Sequence, residues 1–369
     1  MLNRIKLAVA LENVVGSLFV DYSDLYTHIS DVWKRMIQDR LFLKNVLESY
    51  DANLPTPGWL GNIDALFFVE PYKNHYTALA VDGSQIYPDR HQPVNCFLIN
   101  IGLVRISYDL SVKPVAFVSE PTIIPIANAL QSCQEYVNAK RHDLELSCGF
   151  TWAQEQQSKQ QGPSWMLLDG SLIFWHLEAK EGLKDLFFEH YCNYLMQFWH
   201  NRLPVASYIS APKSKELISL VRLYNIHSNG EMYEGSENVT DAALLLHILP
   251  PFHRTTIFLN RSSISFQYQD SIRPCFFYMH VGDEIGRVEL PWWIAQDQEL
   301  VNELAAIILD QSMKGGGYPI VLAEAHEQAV VKGADRDFFY HCLAKKAIES
   351  TYHVPLISRK KLRKLYLGF

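Results

Sequence analysis

TALAVDGS (77–84) and WMLLDGS (165–171) decide how this chain is read. Each is a short apolar run that ends on Asp-Gly-Ser, and the two aspartates, Asp82 and Asp169, lie 87 residues apart. The runs read as strands and the Asp-Gly-Ser triplets as sharp turns at their carboxyl ends, where glycine permits a close approach. In α/β sheets ligands bind outside those ends. Two aspartates so placed can converge on one divalent cation, although Asp-Gly-Ser is also ordinary turn chemistry.

Working outward, Cys96–Ser107 and Pro114–Ser119 continue the first run as a strand meander. Ile126–Gln157 then reads as a long helix, Glu178–Trp199 as helix, Val205–Ile209 as strand and Lys213–Leu223 as helix. That alternation predicts an α/β fold, a mixed sheet flanked by helices. Residues 1–50 read as two helices, and the Pro- and Gly-bearing stretch 51–62 as a loop. Residues 225–240 read as a polar loop or insertion. Beyond them, Thr255–Leu259, Cys275–Val281 and Arg287–Leu290 read as strands. Gln298–Met313 reads as helix and Gly315–Gly317 as a break. Tyr318–Leu322 reads as a last short strand, with His326 opening the helix Glu324–Val331, and Asp335–Ile348 as the closing helix.

Composition limits the function. The 369 residues are 48% apolar and 20% charged, enough for a full core. A net charge of −7 argues against a general nucleic-acid coat. From Lys332 to Phe369, however, nine Lys/Arg stand against three Asp/Glu, and SRKKLRKLY (358–366) holds five basic residues, Arg359, Lys360, Lys361, Arg363 and Lys364. That tail reads either as a phosphate-tracking stripe or as a solvated terminus. The six cysteines form no C-x-x-C pair, which points to thiols in a reducing compartment. No apolar run approaches the ~20 residues of a membrane span, so a cytoplasmic protein with no membrane association is expected.

A third acid comes from RHDLELSC (141–148), either Asp143 or Glu145. Residues at i and i+2 point roughly 200° apart on a helix, so only one can face the sheet edge. Near the C-terminus Tyr318, Glu324 and His326 lie beside the glycine break. An acid on strand one, an acid on the long helix, an acid on strand four and a late-helix ligand make the ribonuclease-H-like order. Its chemistry is metal-assisted phosphodiester hydrolysis. Oxygen-rich donors favour Mg²⁺ or Mn²⁺, and one imidazole favours Mn²⁺.

In AVDGS (80–84), RHDLEL (141–146), LLDGSL (167–172), PVASYIS (204–210) and YPIVLAEAH (318–326) the chain resembles the NurA nuclease family of prokaryotic DNA-end processing, in that family's motif order, from about Ala78 to about Leu343. The resemblance implies a ribonuclease-H-like fold and a Mn²⁺-dependent nuclease, with Mg²⁺ as an alternative, acting on DNA ends and single strands in end resection and repair. It also implies a homodimer docked to a hexameric HerA-type DNA translocase. Matched residue by residue, it makes Asp82, Glu145, Asp169 and His326 the metal ligands and adds Tyr318 to the catalytic set. It selects Glu145 over Asp143, which then lies on a solvated helix face. Arg141, one turn before Glu145, is expected to hold that carboxylate or the scissile phosphate. The expected domains are a helical arm over 1–60, a NurA-type nuclease domain over 61–350 and a basic tail over 351–369. Two other readings stand beside this one: an actin-like or sugar-kinase-like ATPase using both Asp-Gly-Ser turns as phosphate loops, and a non-catalytic adaptor of a DNA translocase.

Overall fold

The structure is a computed structural model that describes residues 2–18, 23–49, 56–89, 95–108, 113–157, 162–178, 180–230 and 235–349. The N-terminal stretch holds three helices where two were expected: α1 (Arg4–Leu18), α2 (Ser23–Met36) and α3 (Arg40–Glu48). Asp39 separates the last two, its carboxylate accepting from the Phe42 amide at 3.0 Å as an N-cap. Within the expected loop 51–62 lies a short strand, β1 (Gly58–Trp59), followed by β2 (Leu66–Phe68).

β3 (Thr77–Ile86) is ten residues long, twice the expected length. It pairs without interruption with β4 (Cys96–Ser107), from Thr77↔Ser107 to Ile86↔Leu98. The first Asp-Gly-Ser is therefore not a turn but the middle of a strand, because the twelve-residue partner supplies a ladder past Val81. β5 (Val115–Pro125) likewise outruns its expected end at Ser119, pairing with β4 as far as Cys96↔Pro125. It is the edge strand, where Pro121 and Pro125 lose no ladder bond.

The long helix α4 (Gln134–Gln157) starts eight residues later than expected. Asn128 draws the chain into a turn first, its side chain accepting from the Gln131 amide at 3.1 Å. β6 (Ser164–Asp169), α5 (Trp175–Glu178), α6 (Glu181–His200), β7 (Val205–Ile209) and α7 (Glu216–Asn229) follow. The polar stretch 225–240 begins as the last turn of α7, closed by Gly230 at φ 75°. Then come α8 (Asp241–Ile248), β8 (His253–Thr255), β9 (Phe258–Leu259), β10 (Pro274–His280), β11 (Ile285–Pro291), α9 (Trp292–Ala295) and α10 (Gln298–Lys314). The run Tyr318–Leu322 is not a strand. It opens α11 (Ile320–Ala329), which buries Val321, Leu322, Ala325 and Ala329 at helical spacing. His326 thus lies well inside that helix instead of opening it. α12 (Gly333–Glu349) closes the described chain.

Among the described residues, eleven strands join one mixed sheet, with main order β1-β9-β10-β11-β7-β6-β3-β4-β5. β5, β4 and β3 form an antiparallel meander, and β6 and β7 continue it parallel to β3. This is the ribonuclease-H-like arrangement, extended by the antiparallel strands from 253–291. From Thr77 to Val81 both faces of β3 are buried. Leu79 and Val81 enter a core with α4 and α6, while Ala78 and Ala80 enter the opposite core with α10 and α11. A third core packs α2, α3, α7 and α8 together with β9 and β10.

Candidate active site

β3 runs on past the point where β6 stops: their pairing ends at Val81↔Leu168. Asp82 and Asp169, each one residue further, therefore lie side by side at the open edge. Alternation turns Asp82 to the α11 face, as it does Ala78 and Ala80. Gly102 stands opposite Asp82 on β4. A Cβ there would lie 2.5 Å from the Ala329 nitrogen and 2.7 Å from the Ala325 oxygen, so only glycine lets α11 rest on the strand backbone. Asn100 Nδ2 and Ser84 Oγ both donate to the Ala329 carbonyl, at 2.8 and 2.5 Å, and fix the end of α11. This places His326 Nδ1 2.9 Å from Asp82 Oδ2.

From the other face comes α4. A Cβ on Gly83 would lie 2.5 Å from Glu145 Oε1 and 2.8 Å from Arg141 Cγ. Gly83 is thus required by close approach, whereas Gly170, at φ 95°, is required by a turn. Arg141 Nη1 donates to the Gly83 carbonyl at 3.0 Å and to Glu145 Oε1 at 2.5 Å, and lies 3.8 Å from Asp82 Oδ1. The ATPase reading loses one of its two phosphate loops here, since Asp82-Gly83-Ser84 is extended strand.

Tyr318 is delivered by the glycine break. Gly316 and Gly317 take φ 69° and 108°, and a Cβ on Gly315 would collide with the Tyr318 carbonyl 2.0 Å away. Burial and the neighbouring Asp169 raise the pKa of the Tyr318 hydroxyl, and its ring meets Tyr208 edge-on at 5.7 Å. Asp82, Glu145, Asp169, Tyr318, His326 and Arg141 are therefore brought together. Arg359, Lys360, Lys361, Arg363 and Lys364 lie outside the described residues.

Asp143 differs from expectation. It is buried, not solvated, and pairs with Lys140 Nζ at 2.6 Å, with His190 of α6 at 3.7 Å from its other oxygen. Its partners hold it toward α6 and away from Asp82, so the helical phase argument holds although the solvated face does not. His142, visible in the polar cluster of RHDLELSC but given no role there, lies 3.4 Å from Glu145 Oε2 and stacks on His176 at 5.0 Å. Burial, with Arg141 beside it, pushes His142 down to about 3, so the ring is neutral near pH 7. Sequence reasoning missed Glu289. It accepts from Ser171 Oγ at 2.7 Å and the Leu172 amide at 2.8 Å, locking the turn that carries Asp169, while Arg287 Nε donates to its other oxygen at 2.8 Å. The charged pair in the buried run RVEL (287–290) is the signal for it: buried charges are paired charges.

The donor set suits a hard divalent cation. Burial pushes the Glu145 carboxyl up to about 8, with Asp82 and Asp169 adding to the shift and Arg141 opposing it. Burial and Asp82 also raise Asp169. Converging carboxylates of this kind are stabilised by a cation. As the side chains stand, no three His, Cys, Asp or Glu groups among the described residues are set around one ion. Arg141 occupies Glu145, which must turn from the guanidinium to join a metal shell.

Fold and site together define a ribonuclease-H-like α/β protein with a carboxylate–imidazole centre at its strand ends. The NurA domain matches residues 76–331, more than two thirds of the sequence, and the chain belongs to the NurA domain family. Among solved structures it is similar to a NurA crystal structure at 13% identity and TM-score 0.41, covering 86% of this chain and 97% of that one. It is also similar to NurA with manganese, at 12%, 0.40, 88% and 99%, and to NurA bound to dAMP and manganese, at 12%, 0.37, 88% and 95%. No curated protein matches the chain. No helix among the described residues is long and apolar enough to cross a membrane.

Proposed function

We propose that this protein is a metal-dependent deoxyribonuclease that hydrolyses phosphodiester bonds at DNA ends and in single strands. The reading rests on one observation, the meeting of Asp82, Glu145, Asp169 and His326 from four separate elements around Arg141. Those four side chains would hold Mn²⁺, with Mg²⁺ as the alternative. When bound, the cation supplies an activated water and neutralises charge on the phosphoryl oxygens.

The chain's own groups do the rest. The Tyr318 hydroxyl, beside Asp169, is the group that would orient that carboxylate. The Gly83 amide, 2.7 Å from Asp82 Oδ1, fixes one oxygen of Asp82, and His326 reaches the other. Arg141, once released from Glu145, donates to the non-bridging phosphate oxygens. Water oxygen bonds to phosphorus in line with the departing sugar oxygen as the bond from phosphorus to that oxygen breaks; the attacking water gives up a proton to solvent, and the sugar oxygen leaves with a proton from solvent.

The proposal extends to a cytoplasmic homodimer that works with a HerA-type translocase in DNA end resection, with 1–60 as a helical arm and 351–369 as a basic DNA-contacting tail. The test is incubation of the purified protein with labelled single-stranded DNA in Mn²⁺, Mg²⁺ or EDTA, with and without ATP. Cleavage that needs the cation and ignores ATP supports the reading. Cleavage in EDTA, or none in either cation, overturns it.

A further inference from the structure

A cavity of about 610 Å³ opens behind the 170–172 turn, between α5, the loop after β7, the start of α7 and the loop after β9. Apart from Ser171, Glu289 and Arg287, which hold the turn, none of the groups assigned above lines it. Its floor is closed by Arg287, which is 3% exposed and donates to Glu216 at 2.8 Å as well as to Glu289. Its rim is cationic. Lys213 makes no hydrogen bond or ion pair among the described residues. Lys215 is steadied by the Glu237 carbonyl at 2.5 Å, and Arg261 by the Val46 and Ser49 carbonyls at 2.9 and 2.7 Å. Four cations line the cavity against three carboxylates, Glu178, Glu216 and Glu289, so its balance is positive in a chain of net charge −7.

An aromatic surface completes it. Trp175 lies on the lining with 42% of its surface exposed, unusual for so large an apolar ring. The cavity also continues from the candidate active site. Ser171 in its wall is two residues from Asp169, within about 7 Å along the chain. Trp175 precedes His176, whose ring stacks on the His142 that neighbours Glu145. The wall is rigid where Glu289 bonds the turn. A cationic rim beside an exposed indole is the chemistry that holds unpaired nucleotides, with phosphate on the cations and base on the ring.

We propose that this cavity binds the single-stranded DNA segment next to the scissile phosphate, one base lying on Trp175 and its phosphate on Lys213 and Lys215. The inference rests on the nuclease reading and gives its substrate a track. The test is fluorescence anisotropy of a labelled oligothymidylate in EDTA, with the full chain, over a salt series. Trp175→Ala is expected to weaken binding about tenfold. The Lys213→Ala/Lys215→Ala pair is expected to lower the log–log salt slope by about 1.4. These residues are on the surface, so the circular dichroism of each variant should match wild type. Unchanged affinity and slope in both variants overturn the cavity assignment, as does a wild type that binds no oligothymidylate. Cation-dependent cleavage by wild type, measured separately, decides the nuclease reading, so the two can fail independently.

Discussion

Replacing Gly83 by alanine separates catalysis from folding. The backbone at 83 is extended strand, outside the left-handed region, so alanine is allowed there and constrains the unfolded chain by about 0.4–1 kcal/mol. Against that, the new methyl would lie 2.5 Å from Glu145 Oε1 and 2.8 Å from Arg141 Cγ, about 1 Å inside ordinary contact. Overpacking of this size costs about 1–3 kcal/mol. The carboxylate is the free end of a flexible side chain, so it yields first. The net loss of stability is then about 0–3 kcal/mol, and the melting temperature should fall by less than about 6 °C. Catalysis should suffer far more, because a shift of about 1 Å in a positioned group costs about 100-fold. Thermal unfolding and Mn²⁺-dependent cleavage of single-stranded DNA, measured on the same preparation, check both halves. A variant within twofold of the wild-type rate would refute the close-approach argument for Gly83. So would a rate loss that only tracks unfolding.

The second Asp-Gly-Ser should behave differently: nothing lies within 4 Å of a Cβ on Gly170, whose φ is 95°, so Gly170→Ala should cost about 1–3 kcal/mol of unfolding free energy through backbone strain alone; an undiminished denaturation midpoint would count against the turn. Glu145→Gln should lower cation-dependent cleavage by orders of magnitude, while Asp143→Asn should destabilise the chain by weakening its pairing with Lys140 yet leave the rate within a few-fold; the reverse ordering of rates would mean that the register of α4 is misassigned. Deleting residues 358–369 should reduce the salt slope of single-strand binding by roughly 0.7 for each phosphate that the tail neutralises, and an unchanged slope would exclude the tail from DNA. Burial, with the Glu216 charge beside it, pushes the Asp241 carboxyl up to about 7 against the opposing bond from Tyr278. The folded state therefore holds a proton that the unfolded state has released, and this residue's contribution to stability falls as pH rises from about 4 to 7 and is flat above. Asp241→Asn should gain on wild type over that window in urea denaturation, and a pH-independent difference would contradict the shift.

Most of the fold can be read from local pattern. β4 and β7 have the ends expected of them because each is a nearly continuous buried run. Where the reading failed, a distant partner decided. Val81 looks like a strand end because Asp-Gly-Ser is good turn chemistry, and only the length of β4 carries β3 on to Ile86. Tyr318–Leu322 looks like a strand because a short apolar run has no period of its own, and α11 is fixed by the groove over Gly102. At the site, Asp82, Glu145, Asp169, Tyr318 and His326 were legible as residue types in order. The reason they meet was not. It lies in two glycines on adjacent strands, Gly83 and Gly102, which admit a helix from either face. Glu289 acts through residues far along the chain, and His142, three residues before Glu145 on α4, stacks on the distant His176; sequence spacing shows neither of these distant contacts.

The central claim is that Asp82 and Asp169 hold the cation that cleaves DNA. It is tested most directly by titrating Mn²⁺ into wild type, Asp82→Ala and Asp169→Ala, following free Mn²⁺ by electron paramagnetic resonance, and assaying cleavage of labelled single-stranded DNA in the same samples. Saturable binding and cleavage in wild type, with both lost in each variant while folding persists, is the result predicted. Either variant keeping half the wild-type rate, or binding Mn²⁺ as wild type does, would contradict it.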